Sequence, residues 1–135
     1  MRAWIRLPTP EDFGVYVVEM GDIDLVTRSL STAVFDGELE VDSLYGAGDT
    51  TRVTLPGWQA GNWVCLEQHV RANVPDGLLE VFVDEVLVHR VETATATLGA
   101  LAYVGVGVNN VLSTSPNATV LIDDVAISAT RIGCR

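Results

Sequence analysis

The strongest constraint on the fold is a two-residue alternation of apolar and polar side chains along most of the chain. In residues 1–7, Ala3, Ile5 and Leu7 alternate with Trp4 and Arg6. A period of two places successive side chains on opposite faces of a β-strand. Turn signals rich in glycine, proline, aspartate and asparagine separate these segments at roughly 8–15-residue spacing. The pattern predicts an all-β chain of about nine or ten strands, folded as two packed antiparallel sheets.

Two hairpins are predicted from local sequence. The segment AVFDGELEVD places Asp36-Gly37 at a tight turn. Residues 61–90, GNWVCLEQHVRANVPDGLLEVFVDEVLVHR, predict two strands on either side of Pro75-Asp76-Gly77. In the first of these strands the even positions form an apolar face, which we expect to point into the core: Val64, Leu66, Val70 and Ala72. The odd positions form the outward face: Trp63, Cys65, Glu67, His69 and Arg71.

Size and charge restrict the classes of function. A chain of 135 residues is long enough for one domain with a single core. No apolar run approaches the roughly 18 residues that a membrane-spanning helix needs. The net charge is −10, and the summed field of such a chain repels polyanions. We therefore expect neither nucleic acid nor a membrane as a partner.

The two cysteines, Cys65 and Cys134, allow two interpretations. A bridge between them would close a loop of about 70 residues, worth ~4 kcal/mol in the chain-entropy model, and would indicate an oxidising compartment. The alternative is two unrelated buried thiols. We favour the bridge.

The opening MRAWIRLPTP has no apolar core of a signal peptide, so we expect either a longer precursor or an intracellular protein. The longer precursor agrees better with a bridge.

Several motifs resemble the concanavalin A-like lectin/glucanase superfamily, in particular its laminin G-like and polysaccharide-lyase-like jelly rolls. They are Trp63-x-Cys65-x-Glu67, the segment Leu79–Asp84, Asp123-Asp124 in a closing strand, and Ile132-Gly133-Cys134. The resemblance covers the C-terminal half well, whereas the N-terminal half is similar only in the spacing of its predicted strands. It implies that residues 1–135 form one antiparallel, two-sheet jelly-roll β-sandwich of a secreted, extracellular or periplasmic protein.

The sequence departs from that superfamily in two ways. Its members are usually longer, and their first strand pairs with the last, whereas this chain opens at once on RAWIRLP, which is typical of an interior strand. We therefore expect either that N-terminal strands of the full fold are missing or that a neighbouring subunit closes it. Glu85 also stands after Asp84 where such hairpins usually carry glycine, so we expect a longer turn there.

The resemblance implies a glycan on the concave sheet. A strand that offers an aromatic ring, a carboxylate, an imidazole and a guanidinium in one line supplies the groups that bind sugars. Tyr103 is a second candidate, because Gly105 and Gly107 clear room on its face of a strand. The predicted ligand-binding residues are Trp63, Glu67, His69, Arg71, Tyr103, Trp4 and Arg6. The alternative is a solvated outer face, on which Glu67 and Arg71 form only a surface ion pair.

We predict a non-catalytic carbohydrate-binding module. One alternative is a polysaccharide lyase, or its inactive remnant, in which His69 or Tyr103 is the base and Arg71 neutralises the uronate. A second alternative is a structural or adhesion module. A retaining glycosidase needs two carboxylates about 5 Å apart. Glu38, Glu40 and Asp42 alternate, but they lie beside a turn without apolar shielding and indicate a solvated acidic edge.

No resident cofactor or metal is expected. The two histidines are far apart in sequence, which disfavours zinc. Calcium at the loop residues Asp22, Asp24 or Asp49 is the one allowed exception. Asp123 and Asp124 are adjacent on a strand, point to opposite faces and do not chelate together.

An unpartnered edge strand favours pairing with a second copy or a neighbouring domain.

Overall fold

A computed structural model describes residues 1–7, 14–21, 28–35, 37–45, 50–72, 77–92, 101–111 and 119–135, with the side chains at 28, 42–45, 50–53 and 109–111 outside the description. Strand is the only regular secondary structure in these residues. The ten strands are β1 (Arg2–Arg6), β2 (Val15–Gly21), β3 (Arg28–Phe35), β4 (Glu38–Tyr45), β5 (Thr50–Thr54), β6 (Val64–Arg71), β7 (Leu78–Val83), β8 (Val86–Glu92), β9 (Tyr103–Val111) and β10 (Leu121–Ala126). None of the described residues forms a helix that could span a membrane.

The strands form two five-stranded antiparallel sheets that pack as a sandwich. Sheet A has the order β10-β1-β6-β7-β8, and sheet B has the order β5-β4-β3-β2-β9. This confirms the predicted all-β, two-sheet class. Strand β1 lies between β10 and β6 and pairs with both. The opening strand is therefore interior, as expected, and it also pairs with the last strand.

The core lies between the two sheets and takes alternate residues from each strand. On β1 these are Ala3 and Ile5, both fully buried. On β6, Val64 and Leu66 belong to the core, and Val70 and Ala72 pack against it, so the predicted inward face of β6 is confirmed. Each fully buried Leu, Ile or Val contributes about 1.5–3 kcal/mol through the hydrophobic effect.

One polar pair crosses this apolar layer. The Gln68 side-chain amide on β6 donates to the Thr32 hydroxyl on β3, and both residues are buried. Because a buried amide is costly without a partner, this bond favours one alignment of sheet A over sheet B.

Two hairpins, β3–β4 and β7–β8, close through tight two-residue turns, whereas the predicted turn residues Pro75 and Asp76 between β6 and β7 lie outside the described residues. In β3–β4, Phe35 pairs with Glu38, and Gly37 has a φ of 80°; the other turn residue, Asp36, lies outside the described residues. In β7–β8, Val83 pairs with Val86 across a two-residue turn of Asp84 (φ 48°) and Glu85 (φ 69°). The expectation of a longer turn at Glu85 was therefore wrong.

Contacts to the rest of the chain explain why a glutamate is accepted in this turn. The left-handed conformation costs a non-glycine residue about 1–2 kcal/mol. Asp84 Oδ1 accepts the Cys65 backbone N–H at 2.9 Å, and Glu85 Oε1 accepts the Cys134 N–H at 3.1 Å. A glycine would leave the second of these donors without its carboxylate partner.

Candidate functional site

A C-terminal strap, residues 127–135, crosses the outer face of sheet A after β10. A disulfide joins Cys134 of the strap to Cys65 on β6, with the two Cα atoms 5.9 Å apart and a sequence separation of 69. The predicted bridge is thus confirmed. Because Cys65 is on the central strand of sheet A, the bridge brings the strap to the middle of the sheet.

Glu67 lies directly beneath the strap. It is only 1% exposed, although its position on β6 is on the outward face. Its carboxylate accepts from Ile132 N–H at 2.6 Å, Gly133 N–H at 3.2 Å and the Arg131 guanidinium at 3.2 Å. All three donors come from the strap. Glu67 therefore anchors the strap in this structure and has almost no surface open to a ligand.

Two arginines complete the hold on the strap. Arg2, on β1, donates to the carbonyls of Gly133 at 3.0 Å and Arg135 at 3.1 Å, and it pairs with the Asp124 carboxylate at 2.8 Å. The Arg131 guanidinium lies over the Phe82 ring, 3.8 Å from its centroid, in a cation–π contact. These contacts hold the second half of the strap, residues 131–135, against sheet A.

On one side of the strap, two tryptophans and two aspartates line an open pocket of about 370 Å³. We call it the two-tryptophan pocket: Trp4, Trp63, Asp123 and Asp124. In the strand register, Trp4 lies between Cys65 on β6 and Asp123 on β10. Trp63 precedes Cys65 by two residues and so shares its face, and it is 41% exposed.

Arg6 flanks this pocket. It pairs with Leu121 on β10, and extension of the β1–β6 register by one residue beyond Ile5 and Val64 places Arg6 opposite Trp63. The structure thus brings together three of the predicted ligand-binding residues, Trp4, Arg6 and Trp63, on neighbouring strands. Chemically the pocket offers two indole rings and carboxylate oxygens, with Arg6 next to it in the strand register.

The two aspartates are additions to the predicted site. Asp124 has a φ of 47°, and Asp123 Oδ1 accepts its backbone N–H at 2.8 Å. Both residues are exposed and line the pocket. The sequence placed the pair on a closing strand with side chains on opposite faces, and that expectation was wrong. The β1–β10 register shifts between Ala126 and Asp123, and this irregularity at Asp124 has no local signature such as glycine.

On the other side of the strap, a row of charged side chains crosses β6, β7 and β8. His69 Nδ1 lies 3.0 Å from Glu80 Oε2, and Arg90 reaches Glu80 Oε1 at 2.9 Å and Glu92 at 2.7 Å. We call this row the histidine–glutamate ladder. Arg71, two residues beyond His69, is exposed on the same strand. His69 and Arg71 are thus separated from the two-tryptophan pocket by the strap.

Tyr103 lies on the other sheet. It begins β9, the edge strand of sheet B, and pairs with Gly21. Val104 and Val106 of that strand pack against the core. His69 and Arg71 belong to sheet A and Tyr103 to sheet B, so no single sheet face carries the three residues of the lyase hypothesis.

Burial perturbs the pKa of two titratable side chains outside these sites. It raises the pKa of Glu19 on β2 and lowers the pKa of His89 on β8. In both cases the charged form loses hydration within the fold. Glu19 pairs with Ser31 and Gly105 on the neighbouring strands of sheet B, between Val18 and Met20, which point into the core.

Among the described residues, no group of three His, Cys, Asp or Glu side chains is arranged to hold a metal ion. The calcium candidates Asp22, Asp24 and Asp49 lie outside the described residues.

The ten antiparallel strands in two packed sheets define a β-sandwich consistent with a jelly roll. The solved structure of "Cellulose induced protein, Cip1" is similar to it, with a TM-score of 0.69 over 98% of this chain and 68% of that chain. The two sequences are 22% identical, so this likeness concerns the fold. No protein-family model matches the sequence, and no curated protein matches it either.

Proposed function

We propose that this chain is a non-catalytic carbohydrate-binding module that holds a glycan in the two-tryptophan pocket. The observation that carries the proposal is the pocket itself, where Trp4 and Trp63 stand beside Asp123 and Asp124. Sugars present apolar C–H faces that stack on indole rings and hydroxyl groups that donate to carboxylates. This mixture of groups on an open surface suits a glycan better than it suits a purely apolar ligand.

The fold supports the same class of function. The sandwich and its structural likeness to Cip1 support membership of the concanavalin A-like lectin/glucanase superfamily, with residues 1–135 as one domain. The name of Cip1 connects that protein with cellulose, which makes β-linked glucose oligomers the first ligands to test. The disulfide supports a secreted or periplasmic location, because such bonds persist in oxidising compartments.

The remaining predicted ligand residues lie elsewhere. Glu67 is covered by the strap, His69 and Arg71 lie beyond it, and Tyr103 is on sheet B. Their role in binding stays a prediction. A second copy or a neighbouring domain is a further proposed partner, since the edge strands β8 and β10 of sheet A carry exposed apolar residues such as Val86 and Val125.

Substitution of Trp63 tests the proposal. Trp63→Ala removes the most exposed stacking surface of the pocket, so we expect affinity for a bound oligosaccharide to fall about tenfold or more, or about 1.4 kcal/mol. Calorimetry with cello-, xylo- and manno-oligosaccharides measures this. Val108→Ala, which truncates an exposed apolar residue on sheet B, is the matched control and retains binding.

The result that contradicts the proposal is a wild-type chain that binds none of these oligosaccharides, or a Trp63→Ala variant that binds as well as wild type. Incubation with alginate, pectate and glycosaminoglycans, followed by ultraviolet absorbance of unsaturated uronates, tests the lyase alternative. A sustained rise in absorbance would replace the binding proposal by the enzymatic one.

A further inference from the structure

The strap divides an otherwise continuous outward face of β6. Trp63 lies on one side of it and His69 on the other, with Cys65 and Glu67 beneath. We propose that the strap covers a further glycan subsite centred on Glu67, and that reduction of the Cys65–Cys134 disulfide uncovers it. The inference rests on the proposed glycan-binding function and concerns its regulation.

The way in which the strap is attached supports its release. Residues 127–135 form no strand pairing, and residues 127–131 are exposed. The strap is held by the disulfide, by hydrogen bonds to Glu67, Arg2 and Glu85, and by Arg131, which is 43% exposed. An ion pair at such an exposed group is weakened by solvent. The disulfide is the covalent link between the strap and the sheet. It keeps the groups that form the other contacts close together, at high effective concentration.

The groups beneath the strap are suited to a sugar. The Glu67 carboxylate now accepts from two backbone N–H groups and a guanidinium, and sugar hydroxyls are donors of the same kind. The Phe82 ring, now covered by Arg131, offers a stacking surface. A pocket of about 140 Å³ lies beside Glu67 and His69, between strap residues such as Arg131 and the sheet B residues Met20 and Val104.

Release of the strap would join the two exposed regions. From Trp63 to Arg71 the strand spans about 26 Å at roughly 3.3 Å per residue. Without the strap, the two-tryptophan pocket, Glu67 and the histidine–glutamate ladder would form one continuous surface along this length. The uncovered surface therefore favours long oligosaccharides, whereas a disaccharide occupies the two-tryptophan pocket alone.

The chemical step is a thiol–disulfide exchange. One thiolate of a dithiol reductant attacks a sulfur of the Cys65–Cys134 bond and forms a mixed disulfide, and its second thiol then displaces the remaining sulfur. Two electrons and two protons pass from the dithiol to the protein. The products are two protein thiols and the oxidised, cyclic reductant.

Hydrogen exchange on the full chain tests release of the strap. After treatment with dithiothreitol, the Ile132 and Gly133 amides, which donate to Glu67, should exchange about tenfold faster or more. The β7 amides should stay far better protected than these two strap amides even though reduction lowers global stability, and this difference separates release from global unfolding. Wild type incubated with oxidised dithiothreitol is the control, and Cys134→Ser without reductant should match the reduced protein. Unchanged exchange at both amides overturns the inference.

Calorimetry with cellobiose and cellohexaose tests the subsite. We expect reduction to raise affinity for the hexasaccharide about tenfold and to leave affinity for the disaccharide unchanged. Equal hexasaccharide affinity in both redox states overturns the covered subsite while the proposed function stands. Binding of neither sugar in either state contradicts the proposed function and the glycan subsite together, and the exchange measurement then reports on the strap alone.

Discussion

At the scale of single residues, three glutamates on outer sheet faces show how strongly the surroundings decide a role. Glu67 is buried and bonded to the strap. Glu80 lies between His69 and Arg90. Glu19 has a pKa raised by burial. All three occupy similar positions in an alternating pattern. The pattern alone therefore does not show that Glu67 binds the strap, that Glu80 pairs with charged neighbours or that Glu19 is desolvated.

Glu19 leads to a prediction about pH. Its native pKa is raised, so the native state holds this proton more tightly than the unfolded state does. The free energy of unfolding therefore falls as pH rises from the ordinary range of glutamate, about 4.3, through the raised value. Glu19→Gln removes this effect. We expect the variant to be more stable than wild type at neutral pH, with the difference shrinking towards acid pH.

Urea denaturation across acid to neutral pH measures this difference. Glu38→Gln, which removes the same charge from an exposed position on β4, is the comparison variant. A Glu19→Gln variant that is less stable than wild type at neutral pH would show that the carboxylate makes a favourable contact larger than its desolvation cost.

At the scale of elements, strands and strap are specified differently. The strands follow from alternation and turn residues, and the β3–β4 hairpin at Asp36-Gly37 was predicted from them. The strap has no repeating pattern and is positioned by contacts to residues far away in sequence, such as Glu67 and Cys65. The β7–β8 turn depends on the strap too, because Glu85 accepts the Cys134 N–H. Its two-residue length was therefore not predictable from local propensity.

The disulfide between β6 and the strap is expected to stabilise the whole fold. It closes a separation of 69 residues, for which the chain-entropy model gives roughly 4 kcal/mol, less any native strain. The double variant Cys65→Ser, Cys134→Ser should therefore lose up to about that free energy of unfolding, as measured by denaturant melts. Wild type in reductant should match it, and equal stability of the oxidised and reduced proteins would contradict the prediction.

At the scale of the whole molecule, the net charge affects which glycans we expect to bind. The sandwich carries a net charge of −10, so its field repels polyanionic glycans over a distance of about a Debye length, roughly 8–10 Å in physiological salt. Within the two-tryptophan pocket the Asp124 carboxylate is paired with Arg2, so the repulsion comes from the charge of the chain as a whole. We therefore expect the glycan of the proposed function to be a neutral one.

This selectivity is measurable by affinity electrophoresis. We expect polyuronates such as alginate to leave the mobility of the chain unchanged, while a neutral β-glucan retards it if the proposed function holds. Salt screens the repulsion, so any weak polyuronate binding should strengthen as ionic strength rises. Retardation by alginate that is strongest at low salt would show instead that clustered arginines dominate the local field.

Sequence and tertiary structure determined different parts of this protein. Alternation established the strands, the all-β class and the inward face of β6, because side-chain direction along a strand is a local property of the backbone. It also placed Trp4, Arg6 and Trp63 outward, and their meeting then required only that β1 and β6 be neighbours. The two cysteines permitted the bridge, and the fold brought them within 5.9 Å.

Tertiary structure alone decided what lies above each outward face. Glu67 is covered, Trp63 is exposed and Tyr103 lies on the other sheet, although all three were predicted for one surface. Glu67 is covered by Arg131, Ile132 and Gly133, which follow it in the chain by 64, 65 and 66 positions. Contacts over such a separation are set by strand order and by the path of the strap, and no period in the sequence encodes either.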